Sequence, residues 1–465
     1  MDLRRDLGPV AATSVVVGSM IGSGIFFGPQ IVAWQFTSNG IDPTAPLVLS
    51  VWAVAGFLSL LGALTFAELA VAMPESGGQY AYIREAFGAK LGFLQGWSSF
   101  FIGKAGSVAA LAVAFGNLLS EVEGGQWVGT GLDVTFVAVG LITGLTLVNY
   151  VGVKFGGWVQ SSTTVLKVLA LVLLAGVAVF AEPSGDPIAT APIDGSGSLL
   201  AAFGLALVPA LWAYDGWYNS TQVAEEIENP DRNLPLSLIG GTVLVIVVYA
   251  ATNWAYLHVL GGQGLAGIQE ALGDVGAAQA AQSPAGLTAQ LLGGDGLSTF
   301  ILAGVLISVF GTCNAVILTG PRIPFAMARD GVFFESLTGV HDDFATPHVA
   351  LLVQGAWSLV LALTGTFEQL ITLVVFSIWL WVGLGGLAVI VLRRKRPDMR
   401  RPYEVPLYPW IPLAFIALAG IFAANLILES PVESIVGTAI ILAGLPMYFL
   451  ARRPGAERDV ELEEM

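Results

Sequence analysis

Apolar runs of about 20 residues, the length that crosses a bilayer core, recur from one end of this sequence to the other. Soluble folds need no such runs in series. Twelve are read, at roughly 9–36, 46–72, 89–120, 131–150, 158–181, 197–226, 235–260, 297–328, 347–365, 368–392, 407–428 and 433–451. Between them lie clusters of Gly, Pro and charge such as MPESGG, EEIENPDRNLP and RRKRPDMRRP, which mark loops. Lipid offers the backbone no hydrogen-bond partner, so the runs are expected to be helices. The expectation is an all-α membrane protein with 12 transmembrane helices in one polytopic domain, followed by an acidic tail over 452–465. The longest connection, 261–296, carries AGIQEALGDVGAAQAAQ, whose helical spacing predicts a short helix across the outer face.

Composition narrows the partners. Mean hydropathy is +0.77, and only 11% of residues are charged. The net charge of −15 argues against nucleic acid. One Cys, Cys313, and three His leave no intrachain disulfide and no zinc cluster, and no cofactor is expected. The start, MDLRRDLGP, lacks a cleavable-signal pattern, so the first run is expected to stay as a membrane helix. No Gly-Lys-Ser/Thr phosphate loop is present, which argues against ATP-driven pumping.

Basic residues set the orientation. With twelve spans both termini share one side. Placing that side in the cytoplasm puts all but two of the 19 Lys and Arg in cytoplasmic loops or at cytoplasmic helix ends. The two exceptions, Lys104 and Lys167, lie within apolar runs. Acidic residues such as Glu121, Glu123, Asp133, Asp186 and Asp274 fall in outer loops instead. Scarce Lys and abundant acid fit a high-salt habitat, where screening weakens self-repulsion.

Two runs are interrupted at corresponding places, each the first of a set of five. The first reads SVVVGSMIGSGIFFGPQIVAW, with Gly18, Gly22, Gly24 and Gly28 ahead of Pro29. The sixth reads AFGLALVPALWAYDGWYNSTQVAEE, where Pro209 and Gly216 bracket Asp215. Kinks alone explain either one. The pairing instead suggests an inverted repeat with a site near the midplane. An opened helix frees N–H groups on one side of the break and C=O groups on the other. Such a pair of termini suits a solute with a carboxylate and an ammonium on one carbon. The N–H groups around Gly22, Ser23, Gly24 and Ile25 are expected to take the carboxylate. Carbonyls near Ile21, Trp212, Ala213 and Tyr214 are expected to take the ammonium, with Trp212 as a lid. Asp215 is expected to cap the second half of the sixth helix. The alternative is a ligand for the ammonium or for a cationic side chain. Glu225, Glu226, Arg322 and Arg329 lie at cytoplasmic helix ends, where they can pair as a closed gate or stay solvated.

These residues resemble the amino acid–polyamine–organocation permeases, particularly the L-type amino-acid transporter branch and its prokaryotic relatives. GSMIGSGIFFGP is similar to that family's first-helix signature. WAVAGFLSLLGALTFAELAVAMPESGGQYAYIREAFG, AYDGWYNSTQVAEEIENPDRNLP, FGTCNAVILTGPRIPFAMARDG and RRKRPDMRRPYEVPLYPWIP resemble later segments in the same order. The resemblance implies a five-plus-five inverted repeat of the LeuT type, over 9–181 and 197–392, with two extra helices over 407–451. It implies a secondary transporter of α-amino acids in the plasma membrane, working by alternating access. It also implies that Lys167, near Thr312 of the eighth helix, stands where sodium binds in sodium-coupled relatives. Sodium would then be unnecessary, with exchange and proton coupling both open. Lys104 is left without an expected partner or role. Family members that bond a heavy chain do so through a Cys between helices three and four. SEVEGGQWVGTG has none, which excludes that bond but not a non-covalent homo-oligomer. Two other readings stand beside this one. The same fold can carry a polyamine or organic cation, or the chain can be a membrane enzyme or channel.

Overall fold

The structure is a computed structural model that describes residues 3–122, 134–182, 198–272, 283–364, 367–429 and 431–452. Among these residues the chain is helical throughout. Its β pairing is limited to two isolated bridges, Leu7 with Ile227 and Ser76 with Val223. The elements in chain order are α1 (Pro9–Met20), α2 (Gly24–Thr37), α3 (Ala45–Ala72), α4 (Gln79–Phe87), α5 (Ala89–Ser98), a π-helical turn (Ser99–Lys104), α6 (Ala105–Val122), α7 (Val134–Tyr150), α8 (Val153–Ala178), α9 (Leu199–Ala213), α10 (Pro230–Pro235), α11 (Gly241–Leu272), α12 (Pro284–Thr319), α13 (Arg322–Arg329), α14 (His348–Thr364), α15 (Phe367–Lys395), α16 (Trp410–Glu429) and α17 (Pro431–Ala451).

Eight helices or helix runs among the described residues are long and apolar enough to cross a membrane. Shorter apolar helices occupy Val134–Tyr150, Leu199–Ala213, His348–Leu363 and Trp410–Asn425. The faces these helices turn outward are hydrocarbon. On α8, Val165, Leu166, Leu169 and Val172 are about half exposed, whereas Thr164, Lys167, Leu171 and Leu174 on the opposite face are buried. That is the 3.6-residue period of a helix whose polar stripe faces protein and whose apolar stripe faces lipid.

The run around 261–296 is helical at both ends. α11 continues past a bend at Gly261 to Leu272, and α12 begins at Pro284 and bends at Gly294. Residues 273–282, and with them Asp274 and the last ten residues of the expected outer helix, lie outside the described residues. The same holds for most of the loop containing SEVEGGQWVGTG, for Asp186 and for the end of the acidic tail.

The centre of the molecule is built from the two interrupted segments and their neighbours. α1 lies against α8 and α12, and these two lie against each other. α2 lies against α9 and α11, and α9 also touches α3. Each break is therefore enclosed by continuous helices that hold its loose ends.

Candidate functional site

The first break opens because α1 stops at Met20. Ile21 leaves helical geometry at ψ 82°, and the chain resumes as α2 after Ser23. The N–H groups of Ser23, Gly24 and Ile25 donate to no backbone carbonyl among the described residues. They are the orphan donors of a new helix start. Gly22 differs from expectation. Its N–H donates to Met20 O at 2.9 Å, because the chain tightens into a turn before it opens. The donor set is thus Ser23–Ile25.

Gly24 is needed for close approach. A Cβ there would fall 2.6 Å from Ala213 Cα and Cβ. The absence of a side chain lets the start of α2 touch the end of α9, so the two breaks meet.

Lys167 sits on the buried face of α8, fully enclosed. Its ammonium donates to Ile21 O at 2.6 Å, Gly18 O at 2.7 Å, Thr312 Oγ1 at 3.2 Å and Ser308 O at 3.4 Å. The side chain does not snorkel toward a helix end; its head reaches inward to oxygens of α1 and α12. A buried ammonium costs several kcal/mol unless its protons are matched, and here three protons meet four oxygens. Thr312 and Ser308 hydroxyls add to the same cage. Thr312 Oγ1 lies 3.0 Å from both Gly18 O and Ile21 O, and Ser308 donates to Ile21 O at 2.8 Å.

This corrects the assignment of Ile21. Its carbonyl was expected to receive the substrate ammonium. A carbonyl oxygen has two lone pairs, and Lys167 and Ser308 take both. Ile21 O belongs to the lysine cage.

The second break opens at the end of α9. Gly216 has φ +103°, and a Cβ there would also fall 2.7 Å from Ser19 Cβ. Only glycine satisfies both the backbone and the space. Beyond it the chain continues as turns and short 3-10 segments, Asn219–Gln222 and Ala224–Glu226. The expected α-helical second half is therefore absent here, and so is the helix start that Asp215 was expected to cap. Asp215 interacts instead with the Gly216 N–H and the Tyr218 hydroxyl.

The carbonyls of this break are less fully occupied. Trp212 O accepts from Asp215 N at 3.1 Å. Ala213 O accepts from the Tyr249 hydroxyl at 2.9 Å. Tyr214 O accepts no hydrogen bond among the described residues. The Tyr214 N–H also turns toward Trp212 O, so free acceptor capacity is clearest at Ala213 O and Tyr214 O.

A cavity lies where the breaks meet, with about 50 Å³ open to the centre of a water molecule. One water needs roughly 10–15 Å³ by this measure, so the space holds several. Gly22, Ser23, Gly24, Trp212, Asp215 and Thr312 line it. Ile21, Ile25, Ala213 and Tyr214 do not reach its surface. Tyr214 turns its ring away, into a cluster with Trp52 and Tyr249.

Three further residues were not visible as site residues in the sequence. Lys104 lines the cavity and donates to Asn219 Oδ1 at 2.6 Å, so it has both a partner and a place. Tyr249 of α11 lies 2.7 Å from Met20 O and 2.9 Å from Ala213 O, and so ties the ends of α1 and α9. Gln222 is buried and also lines the cavity. For the first, the signal in the sequence was a charge within an apolar run, and the structure adds a π turn ending at Lys104, a feature that gathers at functional sites. For the others the signal is tertiary.

Below the cavity the four gate candidates form two pairs. Arg322 binds Glu226 in bidentate fashion, Nε–Oε1 at 2.7 Å and Nη2–Oε2 at 2.9 Å, with both side chains buried. Arg329 contacts both Glu225 oxygens at 2.8 Å and is 46% exposed. Backbone bonds close the same level. Leu7 N donates to Glu226 O at 3.0 Å, Glu228 N to Leu7 O at 2.9 Å, and Gly77 N to Gln222 O at 3.1 Å.

Two touching helix breaks, a caged lysine and a polar cavity between them define a solute-binding membrane protein. Residues 7–451 match the amino acid permease family, and the chain belongs to that family. It is 32% identical to the serine/threonine exchanger SteT of Bacillus subtilis (strain 168) over 450 residues, covering 96% of this chain and 97% of that one. It is 30% identical to the b(0,+)-type amino acid transporter 1 of Mus musculus, covering 96% and 88%. It is 32% identical to the large neutral amino acids transporter small subunit 2 of Homo sapiens, covering 96% and 80%.

Proposed function

We propose that this chain is a sodium-independent secondary transporter of α-amino acids in the plasma membrane. The observation that carries this reading is the Lys167 ammonium in its cage of oxygens from Gly18, Ile21, Ser308 and Thr312. A fixed cation occupies the break of the first segment, and three unpaired N–H groups stand directly beyond it. The substrate carboxylate binds at this helix start, Ser23 to Ile25, where Ser23 and Gly24 line the cavity. Its ammonium is taken at the carbonyl end of the second break, around Trp212, Ala213 and Tyr214, of which Trp212 lines the cavity. Trp212 covers the bound solute.

The proposal includes twelve membrane crossings arranged as a five-plus-five inverted repeat of the LeuT type, with two helices added. The eight long apolar helix runs and four shorter ones fall at the positions of the twelve apolar segments, which supports this count. Both termini lie in the cytoplasm, as the Lys and Arg distribution favours. Glu226 with Arg322 and Glu225 with Arg329 act as the cytoplasmic gate and must part when the site opens inward. Exchange is the favoured mode, because a relative spanning nearly the whole chain carries that description.

The test is uptake by the full chain reconstituted in liposomes. Twenty labelled amino acids are offered with and without internal substrate, sodium and a pH gradient. Acceleration by internal amino acid, with no dependence on sodium, is expected. Uptake of none of the twenty sinks the proposal, and uptake that requires sodium removes the role given to Lys167.

A further inference from the structure

The cavity carries more charge than the binding of a backbone carboxylate and ammonium uses. Lys104 reaches it from the π turn Ser99–Lys104, and Asp215 reaches it from the second break. A π turn inserts an extra residue and rotates the helix beyond it, and here Ser99, Gly103, Lys104 and Ser107 all come to face the cavity. Lys104 is buried, held by Asn219 Oδ1 at 2.6 Å and over the Tyr218 ring at 5.6 Å. Asp215 lies within electrostatic reach of it, but no direct ion pair joins them among the described residues. One positive and one negative charge thus share one small space. Beside them Gln222 is 2% exposed, and its Oε1 accepts no hydrogen bond among the described residues. It is an acceptor waiting for a donor in a wall otherwise supplied with hydroxyls.

We propose that Lys104, Asp215 and Gln222 form a charge-balanced side-chain subsite that selects neutral amino acids with a short, hydrogen-bonding side chain. The inference rests on the transport reading above and names its substrate class. A substrate carboxylate in the side chain is drawn by Lys104 but repelled by Asp215. A cationic side chain meets the reverse. A neutral hydroxyl or amide leaves the internal balance intact and donates to Gln222. An apolar side chain of equal size leaves Gln222 unpaired, and buried polar groups left unpaired discriminate strongly.

The test measures initial uptake of serine, leucine, glutamate and arginine by proteoliposomes holding the full chain. Wild type is expected to prefer serine to the other three. Asp215→Asn is expected to raise the glutamate-to-serine ratio by about tenfold, and Lys104→Gln the arginine-to-serine ratio by about tenfold, as removal of one member unmasks the other. The double variant K104Q/D215N returns both ratios toward wild type. Gln222→Leu lowers serine relative to leucine. If a single variant does not fold, as judged by gel filtration, Asn219→Asp reads the same balance, because the added carboxylate is expected to favour arginine. Folded variants with unchanged ratios overturn the subsite, and so does wild type that takes arginine or glutamate as readily as serine. Wild type that moves leucine but no serine overturns the subsite and leaves the transport reading standing. Absence of uptake for all twenty amino acids overturns both.

Discussion

The two breaks look alike in sequence and are finished differently. In the first, the freed carbonyls are saturated by a charged side chain and two hydroxyls from α8 and α12. In the second, the freed carbonyls meet one neutral hydroxyl, from Tyr249, and the backbone N–H groups of the turn at Tyr214 and Asp215. One break is closed to further donors on its carbonyl side and open on its N–H side. The other keeps carbonyl capacity and faces the cavity. Broken helices therefore need not be equivalent halves of a site. On the proposed reading, one supplies donors to the solute and spends its acceptors on the protein, while the other supplies acceptors.

Four substitutions can break or sharpen this contrast. The largest effect is expected at Lys167. Lys167→Met takes one charged hydrogen bond from each of Gly18 O and Ile21 O, at about 1.5–3 kcal/mol apiece. Uptake is expected to fall to background, with a lowered melting temperature in detergent. Retained uptake would dissolve the distinction between the breaks.

Gly24→Ala comes next. Its Cβ meets Ala213 backbone at 2.6 Å, and forcing a methyl into a packed contact costs about 1–3 kcal/mol. The breaks are pushed apart, so substrate affinity should fall more than stability. Binding measured by ligand-induced thermal shift checks this, and unchanged affinity would show that the breaks need not touch.

Tyr249→Phe removes the hydroxyl between Met20 O and Ala213 O. A loss of about 1 kcal/mol, the usual net worth of one hydrogen bond, is expected in unfolding stability, with a weaker apparent substrate affinity. An unaffected protein would mean that water replaces the bridge.

Thr312→Val is the mildest. Lys167 keeps its bonds to Gly18 O and Ile21 O, so a decrease in uptake smaller than that of Tyr249→Phe is expected. A loss as large as that of Lys167→Met would assign the cage to the hydroxyl rather than the ammonium.

Much of this was legible in the sequence, for a physical reason. Hydropathy and Gly/Pro clusters are local, and they mark where helices run and where they stop. Lys167 stands out because a charge deep in an apolar run is costly wherever it lands. The misreadings at Ile21 and Lys104 concern bonds between distant segments, and those at Gly22 and Asp215 concern how a local turn closes. Nothing near Ile21 in sequence says that Ser308 will occupy its carbonyl. Asp215 looked like a cap because a broken helix was expected to free N–H groups at the start of its second half, but the positive φ of Gly216 leads into 3-10 turns instead. Lys104 had no partner because Asn219 lies 115 positions away. Tyr249 and Gln222 carry no local signal of any kind. Their importance comes from what α11 and the turns after α9 are packed against.

The lysine cage also bears on how such a protein answers to membrane voltage. A dissociable ion held by Gly18, Ile21, Ser308 and Thr312 would cross the bilayer once per cycle. Each crossing of one elementary charge is weighted by about 2.3 kcal/mol per 100 mV. Lys167 is covalently part of α8 and travels only as far as that helix does. If the transport is sodium-independent exchange, as proposed, no ion is carried through the cage, and the electrical potential across the membrane has little lever at this position.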